Sequence, residues 1–289
     1  MRSGRMRRPR RGRLSDLSLN RMVPNVLTLL ALCAGMTAIR FAMNGNFVGA
    51  VFAIIVAGIF DGLDGRIARL LKSTSSFGAE LDSLSDFVSF GVAPAAVLYL
   101  WTMSGLRGVG WAIVLFYAVC CALRLARFNT EIGSERPAYA ALFFTGVPAP
   151  AGAGLVMVPM FLSFEWGDWV FRSPYLNALT VTGVALLMVS KVPTVSLKRL
   201  RVPHHLVVPS LLGVGLLAAF ATTAPWLTLT AIGIVYVGSI PLTIRAHERA
   251  RRAAEARRNA PSDAAAPAPP PAASYPLDEA SAPASQWRH

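Results

Sequence analysis

Apolar residues fill eight long stretches of this chain, and short connections with polar or turn-forming residues separate them. The stretches span roughly residues 23–42, 47–69, 83–103, 109–127, 147–164, 174–192, 205–222 and 226–244. With a helical rise of 1.5 Å per residue, each is about long enough to cross a hydrocarbon layer ~30 Å thick. The pattern predicts an all-α, polytopic membrane helix bundle of about eight transmembrane helices, with the last two joined as a tight hairpin.

The composition of the chain agrees with a membrane protein. Of its 289 residues, 54% are hydrophobic and 15% are charged, whereas soluble domains carry about 25% charged residues. A chain this apolar contains more hydrophobic surface than a single soluble core of its length can bury. The composition therefore excludes the soluble α/β and all-β enzyme classes.

The net charge of +13 comes mainly from two basic clusters, one at each end of the chain. Residues 1–21 hold eight arginines and one aspartate, and residues 245–258 hold six arginines and two glutamates. On a soluble protein this surplus would suggest nucleic acid, but basic flanks in a polytopic membrane protein are typical of cytoplasmic segments. We therefore expect a multi-pass protein of the cell membrane with both termini in the cytoplasm, and no nucleic-acid partner.

Acidic residues are rare, yet five of the 15 lie within the 26 residues from Asp61 to Asp86, and four of these are aspartates at the edges of two adjacent apolar stretches. Asp61 and Asp64 are three residues apart, and Asp82 and Asp86 are four apart, so each pair shares one helix face. Because the two stretches are antiparallel neighbours, the pairs can face one another at the cytoplasmic interface. Carboxylates at membrane depth need a compensating charge, and oxygen ligands favour Mg²⁺ or Mn²⁺, with two ions expected.

Two divalent ions held by carboxylates are typical of chemistry at phosphorus. Gly62 and Gly65 remove side chains beside the first pair of aspartates, Gly78 does so before the second, and Arg69 is placed to meet a diphosphate. Taken singly, each aspartate could be a helix cap or a surface charge. For the set, an ion-coupled transporter is the main competitor, although it would place its acidic residues near the bilayer midplane.

The spacing D-x-x-D-G-x-x-A-R-x8-G-x3-D-x3-D, from Asp61 to Asp86, resembles the signature of the CDP-alcohol phosphotransferase family without departure. The resemblance implies a homodimeric membrane enzyme with a six-helix core, in which an acceptor alcohol displaces CMP from a CDP-linked lipid. It implies that Asp61, Asp64 and Asp82 bind the metals, and that Asp86 both touches a metal and acts as the base for the alcohol. It also implies contacts to the CDP group from Pro24, Asn25, Thr28, Gly65, Ala68, Arg69, Ser75 and Gly78.

The acceptor alcohol depends on weaker signals. Arg124 and Arg127 lie three apart at the cytoplasmic end of the fourth stretch, where they either snorkel or receive an anion. The strings A-L-R-L-A-R-F-N (122–129), F-x-G-V-P-A-P (144–150) and L-D-S-L-S-D-F-V-S-F-G-V-A-P-A (81–95) resemble the branch of the family that joins CDP-diacylglycerol to L-serine. On that resemblance, Arg124 or Arg127 would bind the serine carboxylate. Glycerol phosphate or inositol phosphate as acceptor, and a basic membrane scaffold without catalysis, are the other hypotheses.

These observations divide the chain into four predicted segments. Residues 1–22 form a basic cytoplasmic arm or an interfacial helix, and residues 23–192 form the six-helix catalytic core. Residues 193–244 add a transmembrane hairpin, and residues 245–289 form a cytoplasmic tail that is first basic and then Pro/Ala-rich and disordered. Membrane lipids surround the core, and the tails of the lipid donor would enter it sideways from the bilayer.

Overall fold

The structure is a computed structural model that describes residues 19–71, 75–131, 143–195 and 207–259. Its α-helices are α1 (Leu19–Met43), α2 (Phe47–Leu70), α3 (Ser76–Asp86), α4 (Ala93–Trp101), α5 (Arg107–Glu131), α6 (Ala149–Val156), α7 (Val158–Trp166), α8 (Asp168–Phe171), α9 (Pro174–Val189), α10 (Val207–Thr223) and α11 (Pro225–Asn259).

Four short elements complete the described fold. A π-helical segment, Phe87–Val92, joins α3 to α4, and a 3-10 turn, Met103–Leu106, precedes α5. Two three-residue strands, β1 (Phe143–Thr145) and β2 (Pro193–Val195), pair antiparallel as a small ribbon between the helices.

Six helical spans among the described residues are long and apolar enough to cross a membrane. They are Met22–Met43, Phe47–Leu70, Ser76–Trp101, Met103–Thr130, Ala149–Trp166 and Pro225–Arg249. The two other predicted stretches form shorter apolar helices, the 16-residue α9 and the 17-residue α10. The polytopic helix bundle is therefore confirmed.

Two predicted helix boundaries differ from the structure. The third stretch begins at Ser76 rather than at residue 83, because the Ser75 side chain caps the helix by accepting a hydrogen bond from the Gly78 N–H at 3.0 Å. The fifth stretch is broken at Met157 into α6 and α7. Pro159 lacks the N–H that would bond the Leu155 carbonyl, which explains the break.

The basic cluster at residues 245–258 continues α11 rather than starting a separate tail, since the helix runs to Asn259. Alanine, arginine and glutamate are strong helix formers, and Arg251 pairs with Glu255 one turn away at 3.1 Å. Residues 1–18 and the Pro/Ala-rich segment from residue 260 lie outside the described residues.

Among the described spans, the one built from α3, the π-helical segment and α4 is the second most buried, after Ala149–Trp166. Half of the residues in its most apolar stretch are buried, compared with 28% in the spans formed by α1 and α2. Leu98 of α4 shares the core with Tyr117 of α5, Met160 of α7 and Met188 of α9, each fully buried. The core therefore holds α4 firmly, and α4 in turn carries the helix that presents Asp82 and Asp86.

Candidate active site

The structure brings the carboxylates of α2 and α3 together. One oxygen from each of Asp61, Asp64 and Asp82 lies within 4.8 Å of the other two. The side chains of Asp61 and Asp86 are close enough to form a hydrogen bond, which places Asp86 at the edge of this cluster. The two helices therefore present their acidic faces to each other, as the spacing predicts.

This set of donors fits a hard divalent cation. Carboxylate oxygens are the preferred ligands of Mg²⁺ and Mn²⁺, and Mg²⁺ holds its ligands at 2.0–2.1 Å. Oxygens within 4.8 Å of one another can close around such an ion through small side-chain rotations. Asp64 is only 4% exposed, and a buried carboxylate needs a positive partner.

Asp64 is held in place by a residue of the first helix. The Thr28 hydroxyl donates a hydrogen bond to Asp64 Oδ2 at 2.6 Å, and both side chains are buried. Such a bond orients a metal-binding carboxylate before the ion arrives. Thr28 also faces the α3 side of the site, because its backbone carbonyl accepts a hydrogen bond from the Ser85 hydroxyl at 3.0 Å.

Thr28→Val should weaken metal binding while leaving the fold intact. Loss of a hydrogen bond that orients a ligand typically costs ~10–100-fold in metal affinity, and we expect a change of that size in the Mn²⁺ concentration that gives half of the thermal stabilisation. Thr37→Val is the matched control, because the Thr37 hydroxyl donates to the Cys33 carbonyl on the exposed side of the same helix. Equal Mn²⁺ affinities in both variants would contradict this role.

A cavity adjoins the carboxylates between the first three helices. It is lined by Pro24, Asn25, Thr28, Asp64, Gly65, Ala68, Ser75, Gly78, Ala79 and Asp82. The lining includes every predicted CDP contact except Arg69, whose side chain is exposed outside it. The α3 N-terminus, capped by Ser75, also opens here, and the N–H groups of a helix N-terminus favour an anion such as a diphosphate.

The glycines beside the carboxylates leave open space instead of fitting against protein atoms. A Cβ atom at Gly62 or Gly65 would meet nothing within 4 Å. Neighbouring protein therefore does not require glycine at these positions. Gly65 lines the cavity, where the absence of a side chain lets a ligand come close to the backbone, whereas Gly62 lies outside the lining. At Gly78, by contrast, a Cβ would lie 3.0 Å from Asn25 Oδ1 and 3.1 Å from Ser75 Oγ, both on cavity-lining residues.

The two predicted acceptor-binding arginines do not line the cavity. Arg124 is 7% exposed, and its Nε donates to the Val147 carbonyl at 3.3 Å. Arg127 reaches the Val189 carbonyl through Nη1 at 3.5 Å. Cys121, one turn before Arg124, lies within electrostatic range of both Arg124 and Asp86.

Two contacts of the site involve residues that were not predicted to belong to it. Ala79 lines the cavity directly after Gly78, and a small residue at that position is the signal that could have suggested it. Asn129, the last residue of the string at 122–129, donates from Nδ2 to Ser83 Oγ at 2.9 Å and so ties α5 to α3. Ser83 lies between Asp82 and Asp86 inside the string at 81–95, but nothing in that string distinguishes it from its neighbours.

Comparison with known proteins decides the family. Residues 21–189 match the CDP-alcohol phosphatidyltransferase family, and residues 205–241 match a second description, CDP-alcohol phosphatidyltransferase 2. The chain belongs to the CDP-alcohol phosphatidyltransferase family. The family resemblance predicted from the aspartate spacing is thus confirmed.

Several curated relatives share one name, CDP-diacylglycerol–serine O-phosphatidyltransferase. The Mycobacterium tuberculosis protein is 42% identical over 225 residues, which cover 78% of this chain and 78% of the relative. The Mycobacterium leprae protein is 41% identical over 82% of this chain and 78% of its own length. A Helicobacter pylori protein is 34% identical over 62% of this chain and 74% of the relative.

Proposed function

We propose that this chain transfers the phosphatidyl group of CDP-diacylglycerol to the hydroxyl group of L-serine, giving phosphatidylserine and CMP. The observation that carries the proposal is the carboxylate cluster of Asp61, Asp64 and Asp82 beside the cavity lined by Gly65 and Gly78. The serine acceptor is supported by the shared name of the relatives. The segments 81–95, 122–129 and 144–150, which resemble the serine branch of the family, support it as well.

In the proposed site the carboxylates would bind the metal ions and the cavity would bind the nucleotide. Asp61, Asp64, Asp82 and Asp86 would hold two Mg²⁺ or Mn²⁺ ions, which supply charge neutralisation for the phosphates and for the leaving CMP. The cavity and the α3 N-terminus would orient the diphosphate, with Pro24, Asn25, Ala68 and the other lining residues around the nucleotide. Arg69, which is exposed, would reach the diphosphate only once the donor is bound.

Asp86 would act as the general base. It lies at the edge of the three-carboxylate cluster, beside Asp61, and its side chain is only partly buried. Asp86 takes the proton of the serine hydroxyl as that oxygen attacks the phosphorus bonded to diacylglycerol. The bond from this phosphorus to the bridging oxygen of the diphosphate breaks, and CMP leaves with the electron pair. Arg124 or Arg127 would hold the serine carboxylate, and the former is supported because Arg124 and Asp86 both lie within electrostatic range of Cys121.

The proposal also covers the location of the protein in the membrane and its oligomeric state. The site would lie on the cytoplasmic face of the cell membrane with both termini in the cytoplasm, because the basic clusters at residues 1–21 and 245–258 flank the spans. The predicted segments 23–192 and 193–244 would serve as the catalytic core and an added hairpin. The protein would act as a homodimer surrounded by membrane lipids.

The decisive experiment compares acceptors. Purified protein with Mn²⁺ and CDP-diacylglycerol is given L-serine, glycerol phosphate or inositol phosphate in turn, and the lipid product and CMP are measured. We expect phosphatidylserine and an equal amount of CMP when serine is the acceptor, and no product with the other two acceptors. A phosphorylated lipid product formed with one of the other two acceptors would move the chain to another branch of the family. Ion flux through reconstituted vesicles with no CMP release under any condition would favour the transporter hypothesis.

A further inference from the structure

A π-helical segment directly follows Asp86 in the central span. The segment covers Phe87–Val92, and its end is marked by the Ala93 N–H, which bonds the Val88 carbonyl five residues back. A single π turn inserts about one extra residue into an α-helix, which rotates the two flanking helix faces relative to each other by about 100°. The segment therefore sets the direction in which α3 presents Asp82 and Asp86, relative to the core face of α4.

The chemical cause of the segment lies at Pro94. In an uninterrupted α-helix the N–H of residue 94 would bond the Phe90 carbonyl, but proline has no N–H. Phe90 is buried within a span where no water is available, so its carbonyl needs another donor. Tyr117 of α5 supplies it: its hydroxyl donates to the Phe90 carbonyl at 2.9 Å, and the tyrosine is fully buried.

Close packing holds the other side of the segment. The Ser89 hydroxyl donates to the Ala31 carbonyl of α1 at 3.2 Å. A Cβ atom at Gly35 would lie 2.9 Å from the Ser89 backbone, and one at Gly91 would lie 3.1 Å from Cys121 Sγ. The segment is thus fixed between α1 and α5, and the Tyr117 hydrogen bond is its polar contact on the α5 side.

We propose that Tyr117 is a positioning residue of the active site: by satisfying the carbonyl that Pro94 leaves without its α-helical donor, it maintains the π turn that aims Asp82 and Asp86 at Asp61 and Asp64. The predicted effect of Tyr117 on the rate of phosphatidyl transfer rests on the proposed function. Its effect on metal binding is independent of the substrate, so failure of the serine assay would leave the metal test intact.

Tyr117→Phe removes the hydroxyl and keeps the ring. We expect the Mn²⁺ concentration for half-maximal thermal stabilisation to rise about tenfold, as for other groups that orient metal ligands, and the transfer rate at saturating substrate to fall by a similar factor. Tyr99→Phe is the matched control, because Tyr99 lies on α4 with its ring against Trp111, and it should change neither value. Unchanged Mn²⁺ affinity in Tyr117→Phe would overturn the proposal.

A second replacement separates positioning from simple stability. Pro94→Ala restores an N–H that can bond the Phe90 carbonyl, but it does so by returning the π turn to α-helix. In the Tyr117→Phe/Pro94→Ala double variant we therefore expect the unfolding midpoint to recover while the Mn²⁺ affinity stays low. Recovery of both quantities would show that Tyr117 only satisfies a carbonyl. Pro94→Ala alone should also weaken Mn²⁺ binding, and this variant keeps the test decisive if Tyr117→Phe folds poorly.

Discussion

Asp86→Asn should reduce transfer of the phosphatidyl group by ~10²–10⁴-fold, the usual contribution of a general base. Asparagine has nearly the same shape as aspartate but cannot take the proton of the attacking hydroxyl. Because Asp86 lies at the edge of the cluster formed by Asp61, Asp64 and Asp82, three of the four carboxylates remain to bind Mn²⁺. We therefore expect the rate to fall far more than the Mn²⁺ affinity, and CMP release and lipid product to fall together.

Glu80→Gln is the control for this prediction. Glu80 lies on α3 as well, and its side chain is exposed, so the variant removes one negative charge from the same helix without touching the cluster. It should transfer at the parent rate. A transfer rate in Asp86→Asn within a factor of ten of the parent would refute the assignment of Asp86 as the base. Equal loss of rate and of Mn²⁺ affinity would instead make it only a metal ligand.

The carboxylate cluster could be predicted because its geometry depends on short-range rules. Residues three and four apart share a helix face, and a short connection makes consecutive helices antiparallel neighbours, so the positions of Asp61 and Asp82 along the chain are enough to bring them together. The residues that line the cavity, by contrast, were implied by the family resemblance and not by these rules. Arg69 differs because its long side chain is exposed, and only a bound phosphate would draw it into the site.

The π turn after Asp86 could not be predicted in this way. The helical period assumes 3.6 residues per turn throughout, and Pro94 in the third stretch only signals that a carbonyl loses its donor. Whether the chain then kinks, breaks or forms a π turn depends on which donor a neighbouring helix supplies, here Tyr117, 23 positions after Pro94. The start of α3 was misplaced for a related reason, since Ser75 caps a helix turn that is polar and so lies outside the apolar pattern.

Asp82→Asn should have opposite effects on activity and on the stability of the metal-free protein. Removing a metal ligand costs several kcal/mol of transition-state stabilisation, so transfer should fall by roughly two or more orders of magnitude. Without metal, however, Asp82 lies close to Asp61 and Asp64 with no cation to offset their mutual repulsion. Neutralising it should therefore raise the unfolding midpoint in chelator, by on the order of 2–4 °C for each kcal/mol of repulsion removed.

Addition of Mn²⁺ should reverse this order, because the ion stabilises the parent by binding its folded state and binds the variant weakly. The measurement is a set of four melting curves, parent and Asp82→Asn, each in chelator and in excess Mn²⁺. Asp168→Asn is the control: the Ser163 hydroxyl and Arg172 hold the pKa of Asp168 below its usual value. Its loss should lower the midpoint or leave it unchanged, with the Mn²⁺ shift intact. A metal-free Asp82→Asn protein that melts below the parent would show that the cluster is held by contacts other than a cation.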